Sequence, residues 1–224
     1  MTRQRTQTGR LLAVCVSGAD LVTLPGRNPR RSGIRKLPVD GRVAVRELGL
    51  DGDVQVSKKH HGGEGQAVYC YAQEDAEWWA DEVGRELPPG RFGENLRMSG
   101  FDLTGALLGE RWRIGTALLE VTAPRIPCAN FERFWGAPQL IKRFTAHGAS
   151  GAYLRVLEPG DVGAGDLVEV VDRPGHGVTV GFTFRALTTQ KHRLPDLLPA
   201  LQYLPVKDQP KIAARIAART RVPV

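Results

Sequence analysis

The chain has 224 residues, of which 42% are hydrophobic and 25% charged, so it can bury a sizeable core and has the composition of a globular protein. The 26 glycines and 15 prolines favour many turns and short strands and argue against a helical bundle. A net charge of +7 is compatible with basic ends that contact nucleic acid or with a positive cleft for a small anion, but no nucleic-acid-binding motif accompanies it, so we expect no nucleic-acid partner.

The first apolar run and the cysteines indicate the compartment. The run LLAVCVSGADLV has about a dozen residues and contains Asp20, so it predicts a first strand and not a signal peptide or membrane span. Cys15, Cys70 and Cys128 are far apart and form no CxxC, which disfavours a disulfide framework and a zinc site. We therefore expect a cytoplasmic protein without membrane contact.

Most elements in the first half of the chain are predicted to be short strands. Apolar residues suggest strands at Leu11–Val16 and 43–45, and a buried strand at Ala67–Tyr71. A helix is predicted over Gln73–Val83, because its early acids suit the positive end of the helix dipole. The segment Arg111–Thr122 predicts two strands around a Gly-Thr turn.

The stretch VTAPRIPCAN combines a strand-like run with a proline-bracketed arginine and a cysteine. Pro124 and Pro127 fix their own φ angles and favour extended residues before them, which predicts a stiff, non-helical corner before Cys128. Arg125 lies nearby, and a cation favours the thiolate, the form that binds soft metals. The alternative is an inert core cysteine, the commoner role for a lone cysteine.

Beyond the corner, the pattern predicts a helix over Gly136–His147, with Pro138 in its first turn. A hairpin of Ala152–Leu157 and Leu167–Val171 is predicted around EPGDVGAGD. Short strands, glycine turns and two helices together predict a β-barrel-like core with helical excursions.

The texture changes after a predicted linker at residues 173–177. Helical segments are predicted at Asp196–Leu204, where Pro199 interrupts the pattern, and at Asp208–Thr220. The sequence GFTF at 181–184 is less regular than the helix expected there. The tail is predicted to form a small helical subdomain.

Two further clusters are candidates for ligand binding. In HHGG (60–63), paired glycines let backbone amides approach an anion, and His61 can donate to an oxygen; the alternative is a tight turn with an exposed histidine. In FGENL (92–96), glycine adjoins two polar side chains, and Arg91 before it suits bidentate phosphate contacts; the alternative is a capped turn.

These motifs follow one another in a specific order. They are LGLDGD (48–53), HHGG (60–63) with AVYCY (67–71), FGENL (92–96), GERWRIG (109–115), PRIPC (124–128) and YLRVLEPGDVGAGD (153–166). Together they resemble the MOSC domain, named for the C-terminal domain of molybdenum-cofactor sulfurase, over residues 9–172. The tail, residues 175–224, resembles the small three-helix domain of stand-alone bacterial MOSC proteins of the YiiM type. The resemblance implies a mainly β (α+β) fold: a distorted β-barrel with helical excursions, plus a small C-terminal helical domain.

The resemblance also implies a site for the molybdenum cofactor (molybdopterin). The family cysteine corresponds to Cys128, which would be the catalytic residue and a molybdenum ligand, as in the reductase branch of the family. Molybdopterin carries a phosphate and a dithiolene, so cationic and amide donors are expected around it. The implied cofactor-binding residues are Lys59, His61, Gly62, Gly63, Arg91, Gly93, Glu94, Asn95 and Arg125.

Two functions remain open for such a protein. The first is an oxidoreductase that reduces N-hydroxylated compounds, such as hydroxylaminopurines. Its electrons would come from a partner protein, because the chain lacks CxxC, a four-cysteine cluster and GxGxxG. The second is a sulfur or cofactor carrier that holds a persulfide on Cys128. The oligomeric state stays open, with a homodimer as one alternative.

Overall fold

The structure, a computed structural model, describes residues 8–19, 21–26, 28–56 and 62–220, without the side chain of Thr220. The strands in these ranges are β1 (Thr8–Val16), β2 (Val22–Leu24), β3 (Arg30–Ser32), β4 (Leu37–Pro38), β5 (Arg42–Arg46), β6 (Gly49–Leu50), β7 (Val68–Ala72), β8 (Leu96–Ser99), β9 (Arg111–Ile114), β10 (Ala117–Pro124), β11 (Ala152–Glu158), β12 (Gly160–Gly163) and β13 (Leu167–Asp172). The helices are α1 (Gln73–Val83), α2 (Ala129–Trp135), α3 (Leu140–His147), α4 (Val180–Leu187) and α5 (Gln209–Thr220), with 3-10 segments at Glu64–Gln66 and Lys191–Tyr203. None of the described helices has the length and apolar character that a membrane crossing requires.

Seven strands close into a barrel in the order β1, β13, β9, β10, β11, β7, β8 and back to β1. Neighbouring barrel strands are antiparallel except for the parallel pair β7–β8. Buried and less buried residues alternate along β11, as expected for a strand with one face in a core. The interior is filled by large apolar side chains, including Leu11, Trp112 and Leu119. The structure therefore confirms the predicted β-barrel with helical excursions.

Two predicted helices have different outcomes. The helix α1 occupies the predicted span, and Gly84 ends it with a left-handed φ of 65°. The prediction of one helix over Gly136–His147 was too long at its start. Gly136 is the left-handed cap that ends α2, and Gln139 has a φ of 54°, so α3 begins only at Leu140.

The predicted hairpin of the last two barrel strands was wrong. Strand β11 pairs with β10 and β7, whereas β13 pairs with β9 and β1. The glycine-rich connection EPGDVGAGD contains β12, which pairs with β5 in a separate three-stranded sheet. Gly160 permits this path, because a Cβ there would lie 2.6 Å from the backbone of Thr116 and Ala117.

The tail is helical, but not in the predicted detail. Residues 181–184 belong to α4, a regular helix whose N-cap, Thr179, accepts a 3.0 Å hydrogen bond from the Phe182 amide. This corrects the expectation of irregularity. The segment Lys191–Tyr203 is a 3-10 helix containing Pro195 and Pro199, and α5 starts one residue after the predicted Asp208.

The barrel and the tail share one core. Leu194, Ile212 and Ile216 from the tail belong to the same cluster of buried residues as Leu119 of β10 and Leu108, which precedes β9. The backbone also joins them, because Val180 N donates to the carbonyl of Ala106. The division into two domains, residues 9–172 and 175–224, stays a prediction. Apolar side chains from the two ranges pack in one core.

Candidate functional site

An open cleft with an empty volume of about 750 Å³, its mouth included, lies beside the PRIPC corner. Four of the predicted site residues line it, namely Gly93, Asn95, Arg125 and Cys128. The other lining residues come from β3 and the segments after β3 and β6, from one tyrosine each of β7 and β11, and from Gln66 and Asn130. The sequence motifs at 92–96 and 124–128 therefore meet at one concave surface.

The corner before Cys128 has the predicted extended geometry. Strand β10 ends at Pro124, which pairs with Ala152 of β11. Cys128 is extended, with φ −132° and ψ 168°, and stands directly before α2. Its side chain is partly exposed in the cleft, whereas Cys15 and Cys70 are fully buried. The geometry thus presents one thiol of the three to a ligand.

The difference in burial predicts selective thiol chemistry. Burial raises the pKa of both Cys15 and Cys70 to about 12, so they stay protonated at pH 8. Iodoacetamide at pH 8 should therefore alkylate the native protein once, at Cys128, and the urea-unfolded protein three times. Peptide mapping by mass spectrometry checks the site, and alkylation of Cys15 or Cys70 in the native protein would contradict it.

Arg125 is a buried cation that faces the cleft. Its side chain is 6% exposed, and it donates a hydrogen bond to the carbonyl of Phe92. The guanidinium carbon lies 4.3 Å from the ring centre of Phe131 and 5.1 Å from that of Tyr69. Among the described residues, its Nε has no hydrogen-bond partner and no carboxylate forms an ion pair with its guanidinium. A buried guanidinium without a carboxylate favours an anionic ligand at this wall.

Gly93 is required by its backbone conformation and by its close packing against Ile34, beside Arg125. Its φ is +75°, and a Cβ there would lie 3.1 Å from Ile34 Cγ1 and 3.5 Å from Arg125 Nη1. A side chain would therefore strain the backbone and press on the loop that borders the cleft. Gly93 therefore has a structural role: it leaves room for Ile34 and Arg125 on the cleft wall.

A buried ion pair between Lys36 and Asp53 forms another part of the wall, and the sequence analysis did not anticipate it. Asp53 also accepts 3.0 Å hydrogen bonds from the Ser17 amide and from Asn95 Nδ2. Burial opposes ionisation of Asp53, but the Lys36 ammonium and these donors more than offset it and hold the pKa of Asp53 below its ordinary value of 3.8. Burial lowers the pKa of Lys36, and Asp53 only partly counters this.

The lowered pKa of Asp53 predicts a pH-dependent contribution to stability. The carboxylate stabilises the fold above pH 3.8, and this contribution disappears as pH falls through the lowered folded-state pKa. Asp53→Asn should lower the free energy of unfolding by about 1–3 kcal/mol at pH 6. Protonated aspartate resembles asparagine, so the difference should shrink as the pH falls below the usual range for a carboxyl. Urea unfolding of both proteins between pH 6 and pH 3 checks this, and a constant difference would contradict it.

Asn95 lines the cleft, but the fold already uses its amide. Its Oδ1 accepts from the Tyr69 amide at 3.1 Å, and its Nδ2 donates to the Cys15 carbonyl at 3.2 Å as well as to Asp53. The side chain therefore ties β1, β7 and the Asp53 turn together. Its contribution to the cleft is to orient the Asp53 carboxylate.

Several predicted residues lie away from the described cleft. Glu94 is fully buried and forms an ion pair with Arg97. The Arg91 guanidinium stacks on α2, with its carbon 4.7 Å from the Phe134 ring centre. Gly62 and Gly63 stand beside the 3-10 helix Glu64–Gln66, whose last residue lines the cleft. Lys59 and His61 lie outside the described residues.

Two tyrosines are functional candidates that the sequence analysis missed. Tyr69 and Tyr153 line the cleft, with ring centres 5.1 Å apart. The hydroxyl of Tyr69 donates to the Ser150 carbonyl at 2.9 Å, which fixes the ring under Arg125. The sequence contained a signal for Tyr69: side chains alternate along a strand, so Tyr69 and Tyr71 of AVYCY lie on the same face, opposite Cys70.

Comparisons with known proteins point to one family. A family model described as the MOSC domain matches residues 57–169. The chain is 32% identical over 154 residues to the uncharacterized protein YflK of Bacillus subtilis, covering 69% of this chain and 70% of that protein. It is also 32% identical over 147 residues to a protein named reductase from Gibberella moniliformis, covering 64% of this chain and 26% of that protein. The crystal structure of YiiM from Geobacillus stearothermophilus superposes with a TM-score of 0.76 at 25% identity, covering 93% of this chain and 99% of that one.

Proposed function

Since the chain belongs to the MOSC domain family, we propose that it binds the molybdenum cofactor in the cleft and reduces N-hydroxylated compounds, such as hydroxylaminopurines. Similarity to a protein named reductase supports an oxidoreductase role. That similarity spans about a quarter of the relative, so substrate and electron donor are part of the proposal. The observation that carries it is the thiol of Cys128 and the buried guanidinium of Arg125 in one cleft.

The residues of the cleft fit this cofactor chemically. The phosphate of molybdopterin is a ligand for a buried cation, and Arg125 offers an Nε that no described residue binds and no described carboxylate that would compete. A thiolate at Cys128 suits a soft metal. No described group of three or more His, Cys, Asp and Glu residues could hold a bare metal ion. The dithiolene of molybdopterin would itself supply sulfur ligands to the metal, so one cysteine from the protein would be sufficient.

The chemistry that the cofactor would supply is a two-electron removal of oxygen from the substrate. The chain's own residues would bind and orient the reactants and provide protons. Reduction of a hydroxylamine to an amine takes up two electrons and two protons and releases water. Lys36 Nζ holds a proton on the cleft wall, and burial lowers its pKa, which favours release of that proton. Asp53, fixed by Asn95, keeps the ammonium in place.

The direct test uses protein loaded with molybdopterin and reduced viologen as the electron donor. We expect close to one molybdenum atom per chain and conversion of hydroxylaminopurine to aminopurine. The same chain without cofactor is the control and should convert nothing. Metal uptake without any reduction of a panel of N-hydroxylated bases would reject the reductase function.

The exposure of Cys128 also favours a second function, a sulfur carrier. Its thiolate, reachable through the open cleft, would take the outer sulfur of a donor persulfide, and the donor would leave as a thiolate. Intact-mass measurement after incubation with cysteine persulfide should then show one added sulfur on Cys128. This result, together with absent turnover by the cofactor-loaded chain, would favour the carrier.

A further inference from the structure

The C-terminal segment contacts the backbone of the HHGG motif through one lysine. Lys207, between the second 3-10 segment and α5, donates from Nζ to the Gly62 carbonyl at 2.9 Å and to Gln66 Oε1 at 2.8 Å. Gln66 is a residue of the cleft wall. A single ammonium group of the tail thus binds both Gly62 of the HHGG motif and a side chain of the cleft wall.

The backbone that Lys207 holds has little conformational preference of its own. Gly62 and Gly63 have φ values of 146° and 82°, in a region that other residues rarely adopt and that glycine leaves and enters easily. The peptide bond between them is planar and trans, so the N–H of Gly63 points opposite to the carbonyl of Gly62. By binding that carbonyl, Lys207 fixes the direction of the Gly63 amide.

Two other contacts clamp the same short segment. Gly65 packs against Pro205, so closely that a Cβ on Gly65 would lie 2.8 Å from the proline ring. On the barrel side, Thr122 Oγ1 donates to the Gly65 carbonyl at 2.6 Å. The middle of the segment is therefore held by packing. Lys207 binds the Gly62 carbonyl, and it shares Gln66 Oε1 with the Gly62 amide, which donates to that oxygen at 3.4 Å.

We propose that Lys207 is a positioning residue for the cofactor site: the C-terminal segment sets the geometry of the Gly62–Gly63 peptide through the Gly62 carbonyl, and that of Gln66 on the cleft wall through its side chain. The inference rests on the proposed function. It assigns the tail a role in ligand binding without placing any tail residue in the cleft. Outer contacts that orient ligand-binding groups are commonly worth 10–100-fold in affinity.

The test compares Lys207→Met, which keeps the stem and removes the donors, with Lys207→Arg and with the control Lys211→Met. Lys211 is an exposed lysine of α5 in the same segment. Amide hydrogen exchange at residues 62–66 should be at least tenfold faster in Lys207→Met and unchanged in the control. The Kd for molybdopterin should rise roughly 10–100-fold in Lys207→Met, stay within about threefold of wild type in Lys207→Arg, and remain unchanged in Lys211→Met.

Each remaining outcome overturns the inference. Exchange that does not change in Lys207→Met would show that the ammonium does not hold the segment. Faster exchange with an unchanged Kd would show that the geometry of the segment does not matter for binding. A wild-type protein that takes up no molybdopterin would reject the proposed function itself, and that failure is visible without any variant.

Discussion

Cys128→Ser should abolish molybdenum binding and the reduction of N-hydroxylated bases while leaving the protein folded. Serine retains the shape of the side chain but does not provide a soft thiolate. The loss of metal affinity should therefore exceed the roughly 10–100-fold cost of losing an outer contact. Cys128 is partly exposed, so the free energy of unfolding should change by less than about 0.5 kcal/mol. Metal analysis, turnover with reduced viologen and urea unfolding measure the three quantities.

Cys15→Ser is the matched control for this variant. Cys15 is 0% exposed, so serine there buries a hydroxyl and should lower the free energy of unfolding by about 1–3 kcal/mol. Its molybdenum content at a temperature where it is folded should equal that of the wild type. The metal-ligand role would be refuted by a Cys128→Ser protein that keeps its metal, or by one that loses it only because it unfolds.

Glu94→Ala should destabilise the protein by about 3–5 kcal/mol, because it leaves a buried charge without its partner. Both Glu94 and Arg97 are 0% exposed. The carboxylate also accepts from the amides of Gly90 and Phe92 at 2.8 and 2.9 Å, so the variant loses the bonds that shape the loop before β8. Urea unfolding measures the change through the transition midpoint.

The control for this prediction is Glu77→Ala on the surface of α1. Glu77 is exposed and accepts one hydrogen bond from Gln73, so its removal should change the free energy of unfolding by less than about 0.5 kcal/mol. A Glu94→Ala protein as stable as the wild type, but with weakened cofactor binding, would return Glu94 to the ligand-binding role that its motif predicted.

Local rules predicted the elements that local chemistry determines. The corner before Cys128 follows from two prolines, and the helix α1 was predicted from the acids in its first turn. The hairpin prediction failed because turn residues do not reveal which distant strand a segment pairs with. Strand β12 is short and rich in glycine, and its partner β5 lies more than 100 residues earlier in the chain.

The site was predictable to the same extent. Arg125 and Cys128 are three residues apart, so proximity in sequence placed both in one cleft. Lys36 and Asp53 meet only because the segment after β3 folds against the turn after β6, and no motif marks that contact. For Glu94, the motif was recognised but the role that it suggested differs from the contacts in the structure. Its motif marked the correct loop, but burial decided that its carboxylate faces Arg97.

Closure of the barrel pairs its first strand in the sequence with its last, so a ribosome releases β1 long before its partner β13. Thr8 of β1 pairs with Glu169 of β13, about 160 residues later. At a translation rate of about 5–20 residues per second, the first strand waits on the order of 10 s for this partner. During that interval one edge of β1 is open to strand addition by other chains. Arg10 places a positive charge on β1, and a charge on an unpaired strand discourages aggregation of the nascent chain. In the folded protein the same side chain donates to the Gly165 carbonyl.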